Sequence, residues 1–100
     1  MAIVAVSTAP LGEGTSVSEY VASAIEVLEK YPGIDYQLGP MFTTLEGDLD
    51  EILMAVRDMH ESVFESGALR VSTLIKIDDR RDKEITVKGK LDAVNRRLHD

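Results

Sequence analysis

Cysteine and tryptophan are absent from this chain of 100 residues, and aromatic side chains make up only 5% of it. Without cysteine there is no disulfide framework, no thiolate zinc site and no cysteine nucleophile, and two histidines are the only soft metal ligands left. No apolar run approaches the ~20 residues that span a bilayer, and the opening MAIVAVSTAPLG lacks the basic start and long apolar core of a signal peptide. P-loop, GxGxxG and HExxH patterns are missing too. The expectation is a cytoplasmic protein with no metal, no cofactor and no membrane attachment.

Positive charge is also scarce, and it is unevenly placed. Eleven basic side chains face 18 acidic ones, a net charge of −7. Residues 1–69 hold only Lys30 and Arg57 against twelve carboxylates, whereas residues 70–100 hold nine basic and six acidic side chains. An acidic body repels phosphate backbones, and the first apolar segment has no aromatic on which a base would stack, so nucleic acid is not an expected partner. The cluster Arg80, Arg81, Lys83 could still hold a small anion.

What the chain does contain is strong periodicity. AIVAVSTA (residues 2–9) is apolar on both alternating faces, the pattern of an inner strand, and Pro10 and Gly12 stop it. Ser16 and Glu19 have the spacing of a capping box, and Val17, Tyr20, Val21, Ala24, Ile25 and Leu28 then follow a 3.6-residue period until Pro32 and Gly33. Ile34, Tyr36 and Leu38 alternate as in a half-buried strand, and Gly39-Pro40 supplies a turn into MFTTLEG, a third strand paired to the second as a hairpin. Asp48 and Glu51 predict a second capped helix, with a stripe of Leu49, Ile52, Leu53, Val56, His60 or Met59, Val63 and Phe64, closed by Gly67. VSTLIKI (71–77) reads as a fourth strand, apolar on both faces apart from Lys76, and Thr86 to Leu98 as a final helix.

The order β-α-β-β-α-β-α predicts one α+β domain spanning residues 1–100. Its form is a ferredoxin-like βαββαβ sandwich: a four-stranded antiparallel sheet with two helices on one face, plus a C-terminal helix. Two helices cover one sheet face only, so the apolar residues on the other call for a second copy. A homodimer or homotetramer is expected, with sheets stacked and the last helix as a clamp.

Polar residues inside apolar strands are the exceptions that carry information, because an unpaired buried hydroxyl or carboxylate is costly. They are Ser7, Thr8, Thr43, Thr44, Glu46 and Lys76. Thr15, Ser16 and Ser18 follow the C-terminal end of strand one, and DDRR (78–81) stands at the corresponding end of strand four, so a pocket at the sheet edge is expected to gather several of these. Glu46 is the sharpest of them: if buried, it is neutral, paired with Lys76, capping the Gly47 turn, or accepting bonds from a ligand's N–H groups. His60 borders an apolar stripe and reads as a core or interface residue; Met41, Met54 and Met59 read as packing.

Three segments together, PLGEGTSVSEYV, GPMFTTLEGDLDE and STLIKIDDRRDK, resemble the small YkoF-like thiamine-binding protein family over essentially the whole chain. The resemblance implies a ferredoxin-like subunit that assembles into dimers and tetramers and binds thiamine or its hydroxymethylpyrimidine part, without catalysis. Carried onto this sequence, it makes Ser18, Met41, Thr43, Thr44, Glu46, Lys76, Asp78 and Arg80 the expected ligand-binding set. In that set the carboxylate and hydroxyls would meet the aminopyrimidine, Met41 or Phe42 would form an apolar wall, and Lys76, Arg80 or Arg81 would be needed for a phosphate ester. Two other readings stay open. One is a small oligomeric enzyme of the isomerase or cofactor-free oxygenase type, using Glu46 with Lys76 or His60 as acid and base. The other is a structural or regulatory oligomer in which Glu46 and Lys76 form a buried ion pair.

Overall fold

A computed structural model describes residues 1–14 and 17–99. Ala2–Pro10 forms β1, Ser18–Val27 α1 with a 3₁₀ turn at Leu28–Lys30, Asp35–Gln37 β2, Thr43–Gly47 β3, Leu49–Glu65 α2, Val71–Asp79 β4 and Val87–Leu98 α3. The strands make one sheet in the order β2-β3-β1-β4, antiparallel throughout. This is the expected ferredoxin-like α+β sandwich.

The small and β-branched residues of β1 suit a central strand, and β1 is flanked by β3 and β4. Its alternate residues Val4 and Val6, with Leu45 of β3, point into a core closed by Ala24, Val27 and Leu28 of the α1 segment and by Ile52, Ala55, Val56, Met59 and Val63 of α2. Fully burying one such large side chain stabilises the fold by about 1.5–3 kcal/mol. The buried face of α2 centres on Met59, which leaves His60 at the margin and Leu53 and Phe64 partly in solvent.

The helix boundaries follow local chemistry. The Asp48 carboxylate accepts the Glu51 N–H at 3.2 Å, as the capping spacing predicts. Gly67 follows α2 at φ 109°, a backbone angle that side chains disfavour, and so ends the helix. The cap expected at Ser16, like Thr15, lies outside the described residues. Thr86 caps α3 by accepting the Gly89 N–H at 2.8 Å.

Both edge strands depart from their sequence patterns. β2 is only three residues long and exposed throughout; Ile34 just before it is buried, whereas Tyr36 and Leu38 are not. In β4, Ile75 and Ile77, on the helix side of the sheet, are 44% and 45% exposed. Alternation reports which face a side chain takes, and the two helices reach only the middle of the sheet.

Candidate functional site

The strand register lays the polar exceptions out on the two faces of the sheet. Asp35, Glu46, Ile3 and Asp78 stand side by side across all four strands, and Gln37, Thr44, Ala5 and Lys76 form the next row on the same face. This is the face opposite α1 and α2. Thr43 and Thr8 fall on the other face and are buried beneath the helices.

Glu46 is half-buried. Its Oε2 accepts the backbone N–H of Val87 at 2.9 Å, which ties the start of α3 to the floor of the open face. A carboxylate at the first turn of a helix is favoured by the unsatisfied N–H groups and the positive end of the helix dipole there. Among the described residues no ion pair joins Glu46 to Lys76, so neither pairing expected from the sequence, Lys76 or the Gly47 turn, is the one formed. A second anchor is the contact between the Lys90 ammonium and the Asp78 carboxylate, which holds the Asp78 carboxyl below its ordinary pKa.

Between these anchors the sheet and α3 border two adjoining cavities open to solvent. One, of about 670 Å³, is bounded by Asp35, Tyr36, Thr44 and Glu46 of the sheet and by Leu91 and Asp92 of α3. The other, of about 490 Å³, is bounded by Ile3, Ala5, Thr44, Lys76, Asp78 and Lys90. Both volumes lie within the ~300–1,000 Å³ typical of small-molecule sites. Val87 and Leu91 line both and supply an apolar wall.

The predicted binding set is therefore divided. Thr44, Glu46, Lys76 and Asp78 come together on the open face. Met41 and Thr43 line a separate, smaller cavity on the helix side, of about 80 Å³, and Met41 itself is 78% exposed at the hairpin tip. Phe42 lies there as well, so the apolar wall at Glu46 comes from Val87 and Leu91 instead. Ser18 is exposed at the start of α1. Arg80 is engaged by Asp82, with Nη2 to Oδ2 at 2.7 Å, and this pairing raises the pKa of Arg80 and lowers that of Asp82.

Placing Ser18 and DDRR at a common end of the sheet is incorrect. Antiparallel pairing sets Ala2 against Asp79 and Pro10 against Val71, so the end of β4 lies beside the beginning of β1. At about 3.3 Å per residue, the length of β1 separates the two sets by roughly 25 Å.

His60 belongs to the helix-covered side. Its Nδ1 lies 2.7 Å from Thr73 Oγ1, which in turn lies 2.8 Å from Thr8 Oγ1, and its ring meets Phe64 edge to face. The sheet thus stands between His60 and Glu46, and they do not form an acid–base pair. Among the described residues, no group of three or more His, Asp or Glu side chains could hold a metal ion, and no helix is long and apolar enough to cross a membrane.

Comparison with known proteins places the chain in a family. A family profile described as "Thiamine-binding protein" matches residues 4–95. The chain belongs to the thiamine-binding protein family. It is similar to the YqgV protein of Bacillus subtilis, with 45% identity over 98% of each chain. Its fold is similar to that of a hypothetical protein from Methanocaldococcus jannaschii, at a TM-score of 0.88 and 47% identity over 94% of this chain and 95% of the other. A Thermotoga maritima protein provisionally assigned to thiamine biosynthesis or salvage superposes with a TM-score of 0.77 at 28% identity, over 93% of this chain and 97% of that one. The resemblance read from the three sequence segments is thereby confirmed, and membership of a thiamine-binding family indicates a small-molecule ligand.

Several residues around this family member's open-face cleft escape sequence reasoning. Asp35, Val87, Lys90, Leu91 and Asp92 all line it. A signal exists for two: Val87 and Leu91 are four residues apart on one face of α3, a helix expected from the sequence only as a clamp between copies. Asp35 becomes visible only once the hairpin register sets it opposite Glu46.

Proposed function

We propose that residues 1–100 form one cytoplasmic binding domain for thiamine or its hydroxymethylpyrimidine moiety, serving as carrier, buffer or sensor without turnover. The observation that carries this reading is Glu46: a half-buried carboxylate beside the Thr44 hydroxyl, at the wall of a cavity of suitable size, with one oxygen spent on Val87 N–H. An aminopyrimidine presents N–H donors to the other oxygen and ring-nitrogen acceptors to the hydroxyl. Val87 and Leu91 supply apolar surface for the ring. Family membership supports the same ligand class.

The working form is a homo-oligomer in which a second copy covers the open face. The apolar side chains left there and on α3 support it: Leu74, Leu91, Val94 and Leu98 are all more than half exposed, and α3 buries no residue of its own. With a radius of gyration of 14.9 Å, against about 13 Å for a compact chain of this length, the subunit is extended.

Calorimetric titration with thiamine and with hydroxymethylpyrimidine tests the reading. Saturable binding of both is expected. Glu46→Gln keeps an acceptor for Val87 but places a donor or a neutral oxygen before the ligand's N–H groups, and weakens binding at least about tenfold, or 1.4 kcal/mol. Absence of binding to either compound would overturn the proposal.

A further inference from the structure

The two cavities beneath α3 differ in charge. The first is lined by three carboxylates, Asp35, Glu46 and Asp92, against the single Lys88. The second is lined by Lys76 and Lys90 against the single Asp78. They adjoin through Thr44, Val87 and Leu91, and Ile3 and Ala5 give an apolar floor on the Lys76 side. From Thr44 across Ala5 to Lys76 is two strand spacings, about 9.5 Å.

We propose that the cleft takes its ligand as a phosphate ester, with the nitrogen-bearing head at Glu46 and Thr44 and the phosphate between Lys76 and Lys90. This inference rests on the thiamine reading and specifies the form of that ligand. A phosphate monoester carries about −1.5 to −2 charges at neutral pH, and lysine meets it as a point charge. The reverse orientation would set the phosphate among three carboxylates, and Glu46 already occupies the anion-favouring start of α3.

The other cations named by the sequence are committed elsewhere. Arg80 is bonded to Asp82, and Arg81 Nη2 lies 3.0 Å from Asp79 Oδ2. Neither arginine lines the two cavities. Lys76 has no ion-pair partner among the described residues, while Asp78 holds Lys90 beside the same cavity.

Titration of the full chain with thiamine and with thiamine monophosphate at low ionic strength tests the inference. The ester is expected to bind about tenfold more tightly. Lys76→Ala should abolish this preference, lowering the ester's affinity about tenfold more than that of thiamine, and Arg80→Ala should leave the preference intact. Equal affinity for the two compounds, or loss of the preference in Arg80→Ala in place of Lys76→Ala, overturns the phosphate assignment while the thiamine reading stands. Failure of both compounds to bind overturns that reading, and the assignment with it.

Discussion

The two faces of the sheet are built from the same four strands and reach opposite ends. Beneath α1 and α2, Val4, Val6 and Leu45 meet Ile52, Met59 and Val63 with almost no solvent contact. Across the sheet, Ile3, Ala5 and Thr44 face a cleft walled by Val87, Lys90 and Leu91 of α3, which is fastened by Glu46 to Val87 and by Asp78 to Lys90. The first face is closed by apolar area, which is strong and unspecific; the second is held at polar points with space left between them. The contrast separates the part of the chain that keeps it folded from the part available for recognition.

The sharpest way to break this comparison is to make matched truncations on its two sides. Leu45→Ala should cost about 2–5 kcal/mol in denaturant unfolding, because it opens a cavity in a fully packed layer. Next in size is Thr73→Val, which deprives both the buried Thr8 hydroxyl and His60 of their partner. A loss of about 1–3 kcal/mol is expected by the same measurement. On the open side, Leu91→Asp replaces a side chain that is 54% exposed and should change subunit stability by no more than about 0.5 kcal/mol. Sedimentation should nevertheless show weaker self-association in that variant. An equally large stability loss from Leu91→Asp and Leu45→Ala would erase the distinction between the faces.

The smallest effect concerns pH. Lys90 lowers the pKa of the Asp78 carboxyl, so the group binds fewer protons in the folded chain than in the unfolded one. Its contribution is present above the ordinary aspartate value of about 3.9 and is lost as pH falls through the lower folded value. Carboxyl ¹³C resonances should therefore show Asp78 titrating below the ordinary range, and Lys90→Ala should move its midpoint upward. An Asp78 midpoint that does not respond to Lys90→Ala would remove this fastening of α3.

Much of this organisation is legible in the sequence, for local reasons. The capping residue Asp48, the terminator Gly67 and the alternation within TTLEG act over a few residues and appear where the pattern puts them, although β3 begins at Thr43 and leaves Met41 and Phe42 outside the strand. Edge position is different. β4 has the composition of an inner strand yet lies at the end of the sheet, since strand order is set by crossovers that leave no mark on the strand itself. Of the candidate site, Thr44, Glu46, Lys76 and Asp78 assemble because their register positions share one face. The others do not: Thr43 takes the helix side of the sheet, Met41 is exposed at the hairpin tip, Ser18 starts α1 at the far end of β1, and Arg80 is paired with Asp82. The partner of Glu46 was equally hidden: a backbone N–H forty-one residues away has no sequence signature.

That single bond makes position 46 answer to two demands at once. One oxygen fixes where the final helix departs, and on the proposed reading its twin receives the ligand. Glutamine would satisfy only the first demand, and aspartate, one methylene shorter, would strain to meet either. A saturation library at this codon should therefore tolerate far fewer replacements than one at neighbouring Thr44, and variants that lose the guest while keeping the helix in place would separate the two roles.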